Sequence, residues 1–347
     1  MTSPLPLPPN HHDPAQDLVP SGAFYFPIKD FKQTRHLGFL LLPEFTLLAF
    51  GSALDPLRIA NQLAQKPLYR WTIFSEDGGP VLSSSGVDIA AYQSIDALPK
   101  DLNVLVCSGN RGVEAASQDT IAILRRHLRF GGKLGGICTG ASTLARVGVL
   151  ADRTFTLHWE NQPGFVETFP DLSPSTRRFE IDGDLWTCGG GVAAAEMMLS
   201  IIRADYGRDF AIAVSDMCLN SVDFEPKAAQ RSSLARALST RNPAMIQILN
   251  DMHQNIEDPL PLADMAVRAG LSRRQVERHF KQLMGEPPMT IYRNIRLDRA
   301  RTLFFETDMS VSQIAVACGF GSRSVFTRHY RIRFGAAPSA HRRKSQG

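Results

Sequence analysis

The C-terminal third of the chain carries one segment twice, and this duplication limits the fold more than any other feature. LADMAVRAGLSRRQVERHFKQLMGEPP, from Leu262, aligns with VSQIAVACGFGSRSVFTRHYRIRFGAAP, from Val311. Ala266, Val267 and Gly270 match Ala315, Val316 and Gly319 at an offset of 49. After a one-residue insertion at Gly321, the offset becomes 50. Ser272, Arg273, Arg278, His279, Gly285 and Pro288 then match Ser322, Arg323, Arg328, His329, Gly335 and Pro338, and Phe280 faces Tyr330. Such self-similarity marks a repeated supersecondary unit.

Each copy has the chemistry of a helix-turn-helix, over 261–284 and 311–334. A short apolar helix (261–269; 311–318) runs into a glycine, which tolerates the left-handed backbone of a helix stop. Ser272 and Ser322 follow as N-caps, their side chains able to accept from orphan backbone N–H groups. A second helix places Val276, Phe280 and Leu283, or Phe326 and Tyr330, at helical spacing on an inward face. Its other face carries Arg273, Arg274, Glu277, Arg278 and Lys281 in the first copy, and Arg323, Ser324, Thr327, Arg328 and Arg331 in the second. Arginine can grip guanine edges with two hydrogen bonds, while other cations fix register on phosphates.

Charge follows the same division. Residues 241–347 hold 17 Lys+Arg and 9 Asp+Glu, leaving 21 and 25 of the chain's 38 and 34 for the rest. A basic third joined to a mildly acidic remainder fits a polyanion-binding module beside one with another task. Five cysteines, odd in number and without a CxxC pair, exclude a disulfide framework and suggest no metal site. The longest apolar stretch is broken by Pro43 and Glu44, too short for a membrane span, and the chain opens on no secretion signal. A cytoplasmic protein is the expectation.

Upstream, the Pro-rich residues 1–33 read as a disordered tail. Over 34–224, apolar runs HLGFLLL, RWTIFS, LNVLVCS and KLGGIC read as buried strands. They alternate with helical patterns in ALDPLRIANQLA, DTIAILRRHLRF and AAEMMLSIIRADYG. That alternation implies an α/β domain with a mainly parallel, doubly wound sheet, whose ligands bind beyond the carboxyl ends of its strands. Residues 225–242 read as a linker, and 243–343 as wholly helical.

Within the sheet domain, KLGGICTGASTLARVGVLA sets Cys138 between a strand and a small-residue helix start, a nucleophile elbow with sulfur in place of oxygen. His158 and Glu160, twenty residues on, are a candidate base and orienter. Cys107 and Cys188 read as small buried hydrophobes.

The duplicated module, with IAxxCGF, FGxxPxxHRR and the intervening helix PMTIYRNIRLDRARTLFFETD, resembles the AraC/XylS-type DNA-binding domain. The resemblance implies two recognition helices about one DNA turn apart (~34 Å), reading a double-stranded operator. By position it implies base readers at Arg274, Gln275 and Arg278, and at Ser324, Thr327 and Arg328, with Arg273 and Arg323 beside them. The elbow segment resembles the ThiJ/PfpI, class I glutamine amidotransferase-like, flavodoxin-like fold over 34–219. Together the two parts resemble the GlxA-like branch of AraC-type regulators, and DPLRIAN at 55–61 resembles regulators of amino-acid and quaternary-amine catabolism. That implies a homodimeric activator working through RNA polymerase, without cofactor or metal.

The hydrolytic pattern is broken here. Thr139 stands where histidine tends to follow the elbow cysteine, and the family's acidic partner aligns with Ala49. The sheet domain therefore reads as a sensor with a vestigial Cys138 and His158. Its small-molecule pocket is expected at Pro43, Glu44, Phe45, Cys138, Thr139, His158 and Trp159, where aromatic faces and a carboxylate suit a cationic amine. Two alternatives stay open at this stage: a cysteine-dependent hydrolase or amidase, and a Cys138 redox sensor, each fused to a DNA-binding module.

Overall fold

A computed structural model describes residues 18–22, 24–28, 31, 33–219 and 243–340. The linker expected at 225–242, residues 1–17 of the expected tail and 341–343 of the expected helical domain lie outside the described residues. By internal packing the described chain forms two units. One runs to His158 and resumes at Pro174; the other takes Trp159–Ser173 and the residues from Pro243 onward.

The first unit begins β1 (Arg35–Leu41), α1 (Leu47–Ala64), β2 (Tyr69–Ser75), β3 (Val81–Leu82), β4 (Asp88–Ile89), β5 (Gln93–Ser94) and β6 (Asn103–Cys107). It continues α2 (Gln118–Arg129), β7 (Lys133–Ile137) and α3 (Gly140–Val147). After α4 (Gln162–Thr168), which belongs to the other unit, come β8 (Phe179–Asp182), β9 (Leu185–Cys188), α5 (Ala193–Tyr206) and α6 (Arg208–Met217). Among the described residues a seven-stranded sheet runs β5-β2-β1-β6-β7-β9-β8. The four apolar runs form its parallel centre, β2-β1-β6-β7. They are near-continuously apolar because helices cover both faces of such a sheet. The edge hairpin β8–β9 is antiparallel, which the alternating pattern did not foretell. Leu37, Phe39 and Leu41 of β1 share a core with Leu57 and Ala60 of α1 and with Met198 and Ile202 of α5. Each such side chain contributes roughly 1.5–3 kcal/mol on burial.

The tail expected at 1–33 is corrected where it is described. Asn61 Nδ2 donates to the Leu18 carbonyl (2.9 Å), the Phe26 N–H to the Leu63 carbonyl (2.8 Å) and Lys66 Nζ to the Ile28 carbonyl (2.9 Å). Phe26 packs edge-to-face on Phe210 at 5.3 Å. These contacts tie the described residues to α1, to Lys66 just beyond it and to α6.

The second unit holds α7 (Pro243–Gln254), α8 (Leu262–Arg268), α9 (Arg273–Met284), α10 (Pro288–Glu306), α11 (Val311–Ala317) and α12 (Arg323–Phe334). It has two cores joined by one helix. Tyr292 of α10 closes the first with Met245, Met265, Val276 and Phe280. Leu297, Ala300 and Phe304 of the same helix close the second with Ile314, Phe326 and Tyr330. Leu283, expected inward, is 41% exposed; Met284 packs on the core in its place, four residues after Phe280. The sequence division also put 159–173 with the sheet, whereas α4 packs on α10, with Glu167 3.8 Å from Arg299.

The second helix-turn-helix motif is braced by α10 and by the chain just before the first motif. Arg296 of α10 donates to the Gly319 carbonyl (2.7 Å) and lies over the rings of Phe320 (4.5 Å) and Tyr292 (5.6 Å). Burial lowers its guanidinium below the ordinary arginine range. A Cβ on Gly319 would meet the carbonyl oxygens of Ile256 and Glu257 at 2.5 and 2.6 Å, so only glycine lets the second turn reach that strand of chain.

Candidate nucleic-acid interface

The helix stops repeat hydrogen bond for hydrogen bond. In α8 the Gly270 N–H donates to Val267 and the Leu271 N–H to Ala266; in α11 the Gly319 N–H donates to Val316 and the Phe320 N–H to Ala315. Gly270 and Gly319 are left-handed at φ 67° and 68°. Both second helices then open on the expected serines and end on left-handed glycines, Gly285 and Gly335.

On α9 the expected readers divide. Arg274 and Arg278 are exposed on the outer face. Arg273 is exposed too, with its guanidinium paired to Glu277 at 3.0 Å. Gln275 is tied into a capping box: its Oε1 accepts from the Ser272 N–H and hydroxyl, both at 2.8 Å, while the Ser272 hydroxyl accepts from the Gln275 N–H. Its amide oxygen is engaged by its own helix terminus. Ser272 is easy to see as a cap in sequence; the part of Gln275, three residues on, follows only once Ser272 is fixed as N-cap.

On α12 a shallow recess is lined by Arg323, Ser324, Thr327, Arg328, Arg331 and Ile332, which brings the four expected residues together on one surface. Ser322 accepts from the Val325 N–H (3.3 Å), and its hydroxyl lies 2.8 Å from that of Ser324. Arg333 grips Asp298 of α10 with two bonds of 2.9 and 2.7 Å, fixing the far end of the helix. His329 is held below the ordinary imidazole range by burial and then by Arg293, Arg328 and Arg296. Val325 and Ile332 were missed among the outward residues; their seven-residue separation on one stripe was the available signal.

At the elbow, Cys138 takes a left-handed backbone (φ 61°) in the sharp turn between β7 and α3, a strained conformation for a non-glycine residue. A Cβ on Gly140 would meet the Val106 carbonyl at 2.1 Å, so the following helix can start only with a residue lacking one. The Cys138 N–H donates to the Cys188 carbonyl (3.0 Å), its carbonyl accepts from the His158 N–H (3.2 Å), and its sulfur accepts from the Thr46 hydroxyl (3.5 Å). Ala49 is buried in the apolar core, so no carboxylate stands at the aligned acid position. Burial pushes the Cys188 thiol up to about 12 and raises that of Cys107 well above its usual value.

Of the expected pocket residues, Glu44 is exposed and His158 half-buried, near the turn held by Cys138. Phe45 is fully buried, its ring edge-to-face with Phe50 at 5.8 Å. Thr139 is buried and donates to the Gly109 carbonyl at 2.7 Å. Pro43 is half-buried and Glu160 exposed; Trp159 is 38% exposed, and both it and Glu160 fall in the second unit. Among the described residues no group of three or more His, Cys, Asp or Glu is placed to hold a metal ion. Nor, among them, is any helix long and apolar enough to cross a membrane.

Comparison with known proteins also finds two families along the chain. A helix-turn-helix domain family matches residues 265–344, and the DJ-1/PfpI family matches residues 57–204. The HTH-type transcriptional regulator GlxA of Rhizobium meliloti is 40% identical, covering 91% of this chain and 98% of its own. The HTH-type transcriptional regulator CdhR of Pseudomonas aeruginosa is 39% identical over 88% of this chain and 90% of its own. Among solved structures, an AraC family transcriptional regulator from Pseudomonas putida is 30% identical over 53% of this chain and 99% of that one, with a TM-score of 0.48.

Proposed function

Because this chain belongs to the GlxA-type HTH transcriptional regulators, which join a DJ-1/PfpI domain to an AraC-type helix-turn-helix domain, we propose a division of labour within it. α9 and α12 enter successive major-groove segments of one operator. Arg278 and Arg328 are the principal base readers, with Arg274, Ser324 and Thr327 beside them and Arg273, Arg323 and the remaining cations on phosphates. The observation that carries this reading is the pair of serine-capped helices with equivalent cores, each exposing an arginine two residues before a buried aromatic: Arg278 before Phe280, Arg328 before Tyr330.

The sheet domain acts as the sensor. A small amino acid or cationic amine binds beyond the carboxyl ends of β1 and β7, where Glu44, Cys138 and His158 lie, and shifts the helical unit between arrangements that differ in operator affinity. Such a shift requires the ligand to prefer one arrangement. The regulator works in the cytoplasm as a homodimer and as an activator, contacting RNA polymerase. The elbow is a vestige: a thiol facing the Thr46 hydroxyl, with alanine in place of the acid, suits a pocket wall better than an acyl-transfer nucleophile.

The test is equilibrium binding of the full-length chain to duplexes that it enriches from a random-sequence pool. Arg278→Ala and Arg328→Ala are each expected to lose about 1–3 kcal/mol of specific binding and to relax preference at one half-site. Unchanged preference in both removes them as readers. Calorimetric titration with betaine-like and amino-acid ligands tests the sensor; no heat from any of them contradicts it.

A further inference from the structure

The helices α9 and α12 can be laid on one another cap to cap, Ser272 on Ser322 and Gly285 on Gly335, whose φ values are 73° and 72°. In that register Val276 and Phe280 fall on Phe326 and Tyr330, all fully buried, so the inward faces are equivalent. The outward faces differ in kind. Gln275, Glu277 and Gln282 of α9 stand where α12 has Val325, Thr327 and Ile332. Val325 is 42% and Ile332 75% exposed. With Arg328 between them they follow one stripe of the helix, and Ile332 shares its recess with Thr327, Arg328 and Arg331.

A branched aliphatic side chain set among arginines lies on a face that attracts polyanions. The apolar group that a B-form duplex offers in its major groove is the 5-methyl of thymine. We infer that α12 reads thymine methyls through Val325, Thr327 and Ile332, while α9 reads its half-site through hydrogen bonds. On α9, Glu277 is the acceptor suited to a cytosine amino group, and Gln282 is an amide suited to adenine. The operator is therefore chemically asymmetric: one half-site depends on methyl groups and the other does not. This rests on the reading of both helices as groove-entering.

The experiment uses the full-length chain and duplexes enriched by it from a random pool. Each thymine is replaced in turn by deoxyuridine, which removes the methyl and keeps the base pair. One half-site is expected to weaken roughly fourfold per methyl, the ratio given by about 0.8 kcal/mol per buried methyl, and the half-site a turn away to be unaffected. Val325→Gln with Ile332→Gln, which supplies α12 with amides as on α9, is expected to abolish the sensitivity; Gln282→Ala is expected to leave it in place. Ile332→Gln alone, at the more exposed position, is expected to reduce it and serves should the double variant fold poorly. Methyl sensitivity at both half-sites, at neither, or undiminished in the α12 variants overturns the inference. Failure to enrich any sequence overturns the DNA-binding reading beneath it, so the two failures are distinguishable.

Discussion

The two helix-turn-helix motifs share a skeleton and differ in what surrounds it. Both turn on a left-handed glycine, both recognition helices are serine-capped, and both bury an aromatic residue at the same step. The second is the more firmly held. Ser310 and Gln313 form a capping box at the start of α11, where α8 has Pro261 and no side-chain cap. Arg333 bridges α12 to α10, where the matching Leu283 of α9 is exposed. Gly319 abuts the backbone of Ile256 and Glu257, just before the first motif, whereas a Cβ on Gly270 would meet open space. Duplication preserved the residues that set backbone and core, and released those that face outward. Shared inward chemistry therefore explains the fold, and divergent outward chemistry explains why two copies are more than one copy repeated.

The largest effect that could break this comparison lies at the glycines. Gly319→Ala is expected to cost roughly 3 kcal/mol, since a left-handed penalty of about 1–2 kcal/mol adds to collision with two carbonyls. Gly270→Ala carries the left-handed term alone, about 1 kcal/mol. Urea unfolding of the full-length variants separates them; equal losses would mean that the second turn is not buttressed as described. The caps come next. Ser272→Ala and Ser322→Ala are each expected to cost about 1 kcal/mol. Gln275→Val, which makes the first cap resemble the second, is expected to cost only about 0.5 kcal/mol of stability. A loss as large as that of Ser272→Ala would give Gln275 a further role.

The smallest effect is one of pH. His329 has a folded-state pKa held down by burial and three arginines, so the fold prefers its neutral form. Its contribution is present above the unfolded value of about 6.5 and is lost as pH falls through that value toward the depressed one. The melting temperature of the helical unit is expected to decline slightly from pH 7.5 to 5.5, and His329→Gln to flatten the decline. A steeper decline in the variant would reverse the sign assigned here.

Much of this was legible in the residues, for a physical reason. Helix stops, caps and core aromatics obey local rules, so Gly270, Ser272 and Phe280 announce their roles from spacing alone. The parallel strands did the same, because strands buried on both faces read as unbroken apolar runs. What escaped depends on partners distant in the chain. Phe45 reads as available for a ligand in sequence, but Phe50 packs against its ring; Leu18 and Ile28 read as part of a structureless tail, but their carbonyls accept from Asn61 and Lys66. Leu283 and Met284 are equally apolar, and only the neighbouring helices decide which is buried. The segment 159–173 was assigned by its position in sequence, and contact with α10 assigns it otherwise.

The central claim, that the duplicated cationic unit grips duplex DNA, is tested most directly by measuring the affinity of the full-length chain for its enriched duplex across a range of salt concentrations. Log affinity should fall linearly against log salt by about 0.9 for each phosphate neutralised. The total slope should reach several units, and Arg278→Ala with Arg328→Ala should erase the advantage of the enriched sequence over a scrambled one. Affinity indifferent to salt, or an advantage untouched by losing both arginines, would contradict it.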